Sequence, residues 1–128
     1  MRYSLLNVST CKYAFVNKSQ KYEECVINTR FGKAIKRVDD SIYELHLSFS
    51  VHDLGEKKTP FDMDLEIVGV FQLREGTVEE ISEFMNSNAV AILFPYLRTV
   101  ISTTMTAMMI PPVVLPIIDA KEAFKNVK

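Results

Sequence analysis

The sequence predicts an α+β fold in which a four-stranded antiparallel sheet is followed by a long helix with short helices flanking it. Two observations support this class. Up to Arg74, apolar and polar residues alternate in successive runs, which is the pattern of strands with one buried face. Beyond Gly76 the apolar residues recur at three-and-four spacing instead, which indicates a helix. At 128 residues the chain is long enough for one core, so we expect a single domain over residues 1–128.

The strands differ in how clearly the sequence marks them. The strictest alternation runs from Ser41 to Asp53, and a second run covers Pro60 to Arg74. The turn residues Leu54 to Thr59 lie between them, so a long hairpin is the simplest arrangement. Two earlier strands, Ser4 to Val16 and Glu23 to Lys36, alternate less strictly.

The helical region begins with a capping box. The Thr77 hydroxyl and the Glu80 carboxylate lie three residues apart, where each satisfies a free backbone amide of the other. We expect a short first helix that ends near Asn86 to Asn88. A second helix is then predicted from about Ala89 to Met109, with Pro95 either kinking it or marking its effective first turn.

A second capping box follows the proline-rich segment near the end of the chain. Asp119 and Glu122 have the same spacing as the first box. They predict a short, charged C-terminal helix.

The long helix carries two different stripes. One is bulky and consists of Leu93, Leu97, Val100, Ile101, Thr104, Met105 and Met108. The other is small and uncharged and consists of Thr99, Ser102, Thr103 and Thr106. A single sheet covers only one side of a helix, so we predict that the small stripe packs against a second copy of the chain. The alternative is that these hydroxyls face solvent.

Composition excludes several classes of function. The formal net charge is -1, so the basic surface on which nucleic-acid binding depends is missing.

The N-terminal segment has no continuous apolar run and reaches Lys12 too early for a secretory signal, which indicates a cytoplasmic protein. In that compartment Cys11 and Cys25 are expected to remain reduced.

The stretch Ala91 to Ile118 has one charged side chain, Arg98, and invites comparison with a membrane span. Prolines interrupt both of its ends, and Ser and Thr hydroxyls are frequent in its middle. A span requires about 20 apolar residues in helical backbone. We therefore predict that the stretch is not inserted in a membrane.

No catalytic or metal-binding pattern stands out. His46 and His52 share a strand face but lie about 20 Å apart at strand spacing, too far to share one metal ion. Asp62, Asp64 and Glu66 alternate along the next strand and are interpreted as a solvated acidic stripe. We therefore predict a protein that is not an enzyme and has no cofactor and no metal.

Three segments carry a family resemblance: Gly69-Val70-Phe71 in the fourth strand, Ile92-Leu93-Phe94-Pro95-Tyr96-Leu97-Arg98 at the start of the long helix, and Ile110 to Pro116 beyond it. Their order and spacing resemble the SecB family of protein-export chaperones, and the similarity covers most of the chain from about Ile42 onward. The resemblance implies a four-stranded sheet assembled as a dimer of dimers, a homotetramer whose helices lie between the sheets. It also implies an ATP-independent holdase for unfolded polypeptides, which in many members are passed to the SecA translocation motor.

The resemblance also implies client-binding side chains near the sheet and the proline-rich loop. The candidates are Cys25, Ile27, Phe61, Met63, Tyr96, Val113 and Leu115. For each of them the alternative is a place in the hydrophobic core.

One departure from the family concerns the motor. Family members use acidic residues of the first strand to contact SecA, whereas the matching positions here are Lys12 and Val16. Only Asp64 keeps an acidic side chain at a candidate motor contact. Because the change at Lys12 removes electrostatic complementarity, the chaperone is alternatively dedicated to one partner, such as an antitoxin or another labile regulator.

Overall fold

A computed structural model describes residues 1–18, 29–56 and 58–109 of the chain. Within these residues four strands precede one long helical segment: β1 (Arg2–Asn17), β2 (Thr29–Arg37), β3 (Ile42–Val51), β4 (Phe61–Arg74), α1 (Val78–Glu83), a π-helical turn (Phe84–Asn88) and α2 (Ala89–Ala107). This confirms the predicted strands followed by a long helix. The first part of the predicted second strand, the proline-rich segment and the predicted C-terminal helix lie outside the described residues.

The four strands form one antiparallel sheet in the order β1-β4-β3-β2. The predicted hairpin joins β3 to β4, and Gly55 adopts a φ of 59° in its turn. The Asp53 carboxylate stabilises this turn. It accepts a hydrogen bond from the Thr59 backbone N–H at 2.8 Å and another from Lys18 Nζ at 2.6 Å. The ammonium group of Lys18 and the N–H of Thr59 hold the pKa of Asp53 well below its ordinary value.

The sheet has one apolar and one polar face, as the alternation predicts. Along β3 and β4 every second side chain is buried, and the residues between them are half-buried. The long helical segment covers the apolar face. The core consists of Leu45, Leu47, Phe49, Val51, Phe61, Met63, Leu65, Ile67, Phe71, Leu73, Phe84, Met85, Ala89, Val90, Leu93, Phe94, Leu97, Ile101 and Met105.

The π-helical turn corrects the prediction of two separate helices. The capping box of Thr77 and Glu80 is present and starts α1, but the polar residues 86–88 do not end the helix. One extra residue in this turn sets buried side chains five positions apart, Phe84 with Ala89 and Met85 with Val90. The extra residue therefore keeps both parts of the helix facing the same core, at the cost of regular helical hydrogen bonding.

Pro95 lies inside α2, and the helix continues on both sides of it. The alternative that Pro95 marks the first turn is therefore wrong, because the helical segment already runs through the π-helical turn before it. Its ring faces solvent. The backbone N–H that proline lacks is therefore missing on the outer side of the helix.

Gly69 is a point of close approach between sheet and helix. An added Cβ at this position would lie 2.9 Å from Leu93 Cδ1 and 3.2 Å from Leu93 Cδ2. Leu93 is fully buried. The glycine of the Gly69-Val70-Phe71 segment thus makes room for α2.

The helical segment Val78–Ala107 is long and apolar enough to cross a bilayer by those two criteria alone. Core helices of soluble proteins meet the same criteria. Here seven side chains of α2 are buried against the sheet. The absence of membrane insertion stays a prediction.

Candidate functional site

The predicted client-binding residues fall into three groups. Cys25, Ile27, Val113 and Leu115 lie outside the described residues. Phe61 and Met63 are fully buried in the core, so a client could reach them only if the surrounding side chains moved. Tyr96 is 46% exposed on α2. Its role in client binding stays a prediction.

An apolar groove lies where β2 and β3 meet the start of the helical segment. It has a volume of about 550 Å³ and contains Ile35, Tyr43, Val78, Ile81 and Met85 among its apolar lining. Val78 is 80% exposed and Ile35 is 37% exposed, whereas Met85 is buried at the base. Sequence reasoning missed this groove because the weak alternation of β2 did not show that Ile35 faces the first helical turn.

Polar groups frame the groove. Lys33 Nζ donates a hydrogen bond to Asn86 Oδ1 at 3.2 Å and so links β2 to the π-helical turn. At the other side Arg37 Nη2 and Asp40 Oδ1 form an exposed ion pair at 3.2 Å. The surface therefore combines an apolar base with a charged rim, which suits an extended peptide with mixed side chains.

The outer face of α2 is nearly free of charge. The predicted interface residues Thr99, Ser102, Thr103 and Thr106 are all exposed in the single chain. Two of their hydroxyls bond to the helix itself: Thr99 Oγ1 donates to the Pro95 carbonyl at 3.0 Å and Thr106 Oγ1 donates to the Ser102 carbonyl at 2.9 Å. Contact with a partner would therefore leave these two donors satisfied.

Tyr96 shares this outer face. It lies three residues before Thr99 and seven before Thr103, which places all three side chains on one side of the helix. A partner that covered the small stripe would therefore also contact Tyr96.

The polar face of the sheet contains the three positions considered for a motor contact. In the pairing of β1 with β4, Lys12 lies opposite Glu66, Ala14 opposite Asp64 and Val16 opposite Asp62. Directly paired residues project from the same face of a sheet. Lys12, Val16 and Asp64 therefore belong to one surface, as a shared contact would require.

Basic side chains contact the acidic stripe on that face. Asp62 Oδ1 lies 3.0 Å from Lys18 Nζ, and Asp64 Oδ2 lies 3.0 Å from His52 Nε2. The carboxylates of Asp62, Asp64 and Glu66 are each about a third exposed. The stripe is thus partnered within the chain, which the interpretation as merely solvated carboxylates did not anticipate.

A cluster of Cys11, His46 and Glu66 lies across three strands of the polar face. Cys11 Sγ donates to Glu66 Oε2 at 3.1 Å, and His46 Nδ1 lies 3.0 Å from the same oxygen. His46 Nε2 in turn lies 3.0 Å from Glu44 Oε1. Sequence reasoning tested His46 only against His52 on its own strand and missed this cluster, because the register between strands is not visible in the spacing along one strand.

Each ionisable group of the cluster responds to the others. Burial and the hydrogen bond to Glu66 raise the pKa of the Cys11 thiol to about 11. Hydrogen bonds from Cys11 and His46 lower the pKa of Glu66. Burial lowers the pKa of His46, but its hydrogen bonds to Glu44 and Glu66 outweigh burial, so the pKa of His46 is raised. The carboxylates of Glu44 and Glu66 thus favour a positive charge on the His46 imidazole between them.

Known proteins with similar sequences confirm the resemblance. The family model described as preprotein translocase subunit SecB matches residues 9–128. The protein-export protein SecB of Nitrosospira multiformis is 33% identical over 89 residues, which cover 70% of this chain and 56% of that protein. An uncharacterized protein of Methanocaldococcus jannaschii is 38% identical over 78 residues, which cover 58% of this chain and 50% of that protein. The chain spans about half the length of these curated relatives.

A solved structure shares the fold. A SecB-like chaperone of Mycobacterium tuberculosis, in complex with a peptide from an antitoxin, matches with a TM-score of 0.77. The match covers 92% of this chain and 91% of that chain at 16% sequence identity. The family model covers nearly the whole sequence and establishes that the chain belongs to the SecB family.

Proposed function

We propose that the protein is an ATP-independent holdase of the cytoplasm, which binds non-native polypeptides and keeps them from aggregating. The observation that carries the proposal is the apolar groove beside β2. Its volume lies within the range of about 300–1,000 Å³ that is usual for binding pockets. Val78 and Ile35 expose apolar surface there, which an unfolded chain would cover.

The position of the groove suits an extended client. Among the described residues β2 pairs only with β3, and we propose that a client segment adds to its outer edge as a further strand. A client segment that added to this edge would gain main-chain hydrogen bonds of low sequence specificity, and its apolar side chains would enter the groove. Both features favour binding of many different sequences.

The test is suppression of aggregation. The purified chain, at a stoichiometric ratio, is mixed with a chemically denatured client, and light scattering is followed after dilution. We expect Val78→Glu and Ile35→Glu to weaken protection, because each places a carboxylate in the groove. Leu6→Glu is the matched control, since Leu6 is 52% exposed on β1, at the opposite edge of the sheet.

Failure of the wild-type chain to suppress aggregation would refute the holdase function. Equal loss in the groove variants and in the Leu6 control would refute the assignment of the groove. Tyr96 and the predicted residues Cys25, Ile27, Val113 and Leu115 remain candidates for an additional client surface and can be tested by substitution in the same assay.

We further propose that the outer face of α2 forms the contact between chains, with Thr99, Ser102, Thr103 and Thr106 at its centre. The small side chains allow close helix approach, and no charged group of this stripe would have to be buried. Pairs formed in this way would associate into the dimer of dimers that is expected of a SecB-like tetramer. Tyr96 would then lie at the edge of this contact.

Coupling to the SecA motor is proposed to be weak. Asp64 retains an acidic side chain at the candidate motor contact, but its carboxylate already pairs with His52 at 3.0 Å. Lys12 places a positive charge on the same face. An acid-recognising partner would therefore meet an acidic side chain that already has a partner within the chain, next to the positive charge of Lys12. Binding of SecA that is as tight to this chain as to an acidic SecB would contradict this proposal.

A second candidate function is a chaperone dedicated to one partner, such as an antitoxin or another labile regulator. It is favoured by the antitoxin peptide present in the structurally similar chaperone. Competition distinguishes the two functions. Displacement of a bound client by many unrelated unfolded peptides supports the general holdase, whereas displacement by a single sequence supports the dedicated chaperone.

A further inference from the structure

We propose that Cys11, His46 and Glu66 form a binding site for a divalent transition-metal ion, and that zinc is the ion their donor atoms favour. One ligand atom from each residue lies within 4.8 Å of the other two. A thiolate, an imidazole nitrogen and a carboxylate oxygen together are typical of zinc, whereas magnesium and calcium prefer oxygen ligands alone.

The distances between the donors suit one tetrahedral ion. Cys11 Sγ lies 3.1 Å from Glu66 Oε2, and His46 Nδ1 lies 3.0 Å from that oxygen. With metal bonds of about 2.0–2.3 Å, the ligand atoms of tetrahedral zinc lie about 3.3–3.6 Å apart. These two separations must therefore widen by only a few tenths of an ångström, and the ligand atoms of Cys11 and His46 lie within 4.8 Å of each other. Rotation of the side chains can supply the adjustment.

The backbone directs the three side chains together. His46 and Glu66 come from the adjacent strands β3 and β4, and Cys11 comes from β1 on the other side of β4. The pairing of β1 with β4 shifts between Thr10 and Lys12, so Cys11 is the extra residue of a β-bulge. Bulges change the direction of a side chain, and here the thiol is turned toward Glu66.

Glu44 provides the support that a metal-binding histidine usually has. Its Oε1 lies 3.0 Å from His46 Nε2 and so holds the imidazole with Nδ1 toward the cluster. A carboxylate on the far ring nitrogen fixes the orientation and the basicity of a histidine ligand. In the sheet pairing Lys12 lies opposite Glu66 and Lys36 lies opposite Glu44, and these two basic residues offset part of the negative charge.

The site is open on one side. Cys11 is exposed, and the three residues leave a fourth tetrahedral position for water or for an oxygen or sulfur ligand from another molecule. A bound ion would also link β1 to β3 and β4, so zinc should stabilise this edge of the sheet.

The test uses the full chain, freed of metal and kept reduced. Isothermal titration with zinc chloride should give one ion per chain, and magnesium chloride should give no binding. Cobalt should produce the visible absorption of a tetrahedral ion together with a thiolate charge-transfer band. We expect Cys11→Ser, His46→Gln and Glu66→Gln each to weaken zinc binding more than tenfold. Glu44→Gln should weaken it by about 10–100-fold.

Two matched controls separate this site from the other donors of the chain. Cys25→Ser removes the other cysteine, and His52→Gln removes the other histidine, which pairs with Asp64 outside the cluster. Both should bind zinc as the wild type does. Circular dichroism of each variant checks that it is folded, and X-ray absorption of the zinc-bound wild type reports the ligands directly and independently of any substitution.

The proposal is overturned if zinc does not bind at micromolar concentration, or if Cys11→Ser and His46→Gln bind it unchanged. Loss of binding in Cys25→Ser or His52→Gln would overturn it as well. An absorption spectrum without a sulfur ligand would do the same, even if every variant proved unstable.

Discussion

Substitution of Gly69 by alanine tests the contact between sheet and helix on which the fold depends. The added Cβ would lie 2.9 and 3.2 Å from the two terminal methyl groups of Leu93 and 3.3 Å from Phe71 Cε2. Carbon atoms attract each other best at about 3.5–4.0 Å, so all three contacts are too short. Because Leu93 and Phe71 are both fully buried, relief requires movement of α2 or of core side chains.

The expected loss of stability follows from two opposing effects. Overpacking of a filled core costs about 1–3 kcal/mol. Replacing a glycine in a strand by alanine raises the stability by about 0.5–1 kcal/mol, because the unfolded chain loses conformational freedom. Gly69→Ala should therefore lower the free energy of unfolding by about 1–2 kcal/mol, with a decrease in Tm of about 4–8 °C.

Urea denaturation at one fixed protein concentration measures this loss. The midpoint should fall while the slope stays unchanged. Gly32→Ala is the control: its Cβ would meet the Ser48 hydroxyl, a small group on the polar face that can rotate away. Combining Gly69→Ala with Leu93→Val should cost less than the sum of the two single changes, because valine vacates the space. If Gly69→Ala is as stable as the wild type, α2 does not approach the sheet at this point.

Two further predictions concern charge and assembly. Asp53→Asn should lower the free energy of unfolding at neutral pH. Because the pKa of Asp53 is lowered from 3.8 on folding, the difference in stability from the wild type should disappear as pH falls below 3.8 toward the folded value. Asp40→Asn, at an exposed ion pair, is the control and should have little effect on stability at any pH. Equal acid profiles for wild type and Asp53→Asn would contradict the role of the Lys18 ion pair. Thr103→Arg should reduce the mass measured by light scattering, because it would bury an unpaired guanidinium in the contact between chains, and Glu83→Arg on α1 should not. An unchanged mass for Thr103→Arg would place the contact elsewhere.

Periodicity along the chain was enough to predict the local elements of this fold. Alternation in Ser41 to Asp53 marked the buried face of β3, and the spacing of Thr77 and Glu80 marked the start of the helix. Both patterns follow from the backbone geometry of a single element. For the same reason they were readable without knowledge of the tertiary structure.

Features that depend on contact between elements could not be predicted in this way. The π-helical turn exists because Phe84 and Ala89 must face the same core, which requires the sheet to be in place. The cluster of Cys11 with His46 and Glu66 depends on the register of three strands and on a bulge in β1. Phe61 and Met63 have the same alternating pattern whether they face a client or the core, so the sequence left both alternatives open.

The holdase function is tested most directly by locating a bound client on the surface. Methyl groups of the protein are observed by nuclear magnetic resonance while an unfolded polypeptide is added. The proposed function predicts that the signals of Ile35, Val78 and Ile81 shift or broaden first, and that the signal of Leu6 on the opposite edge stays unchanged. Unchanged signals throughout the protein would contradict the holdase function, and shifts confined to other residues would contradict the assignment of the groove.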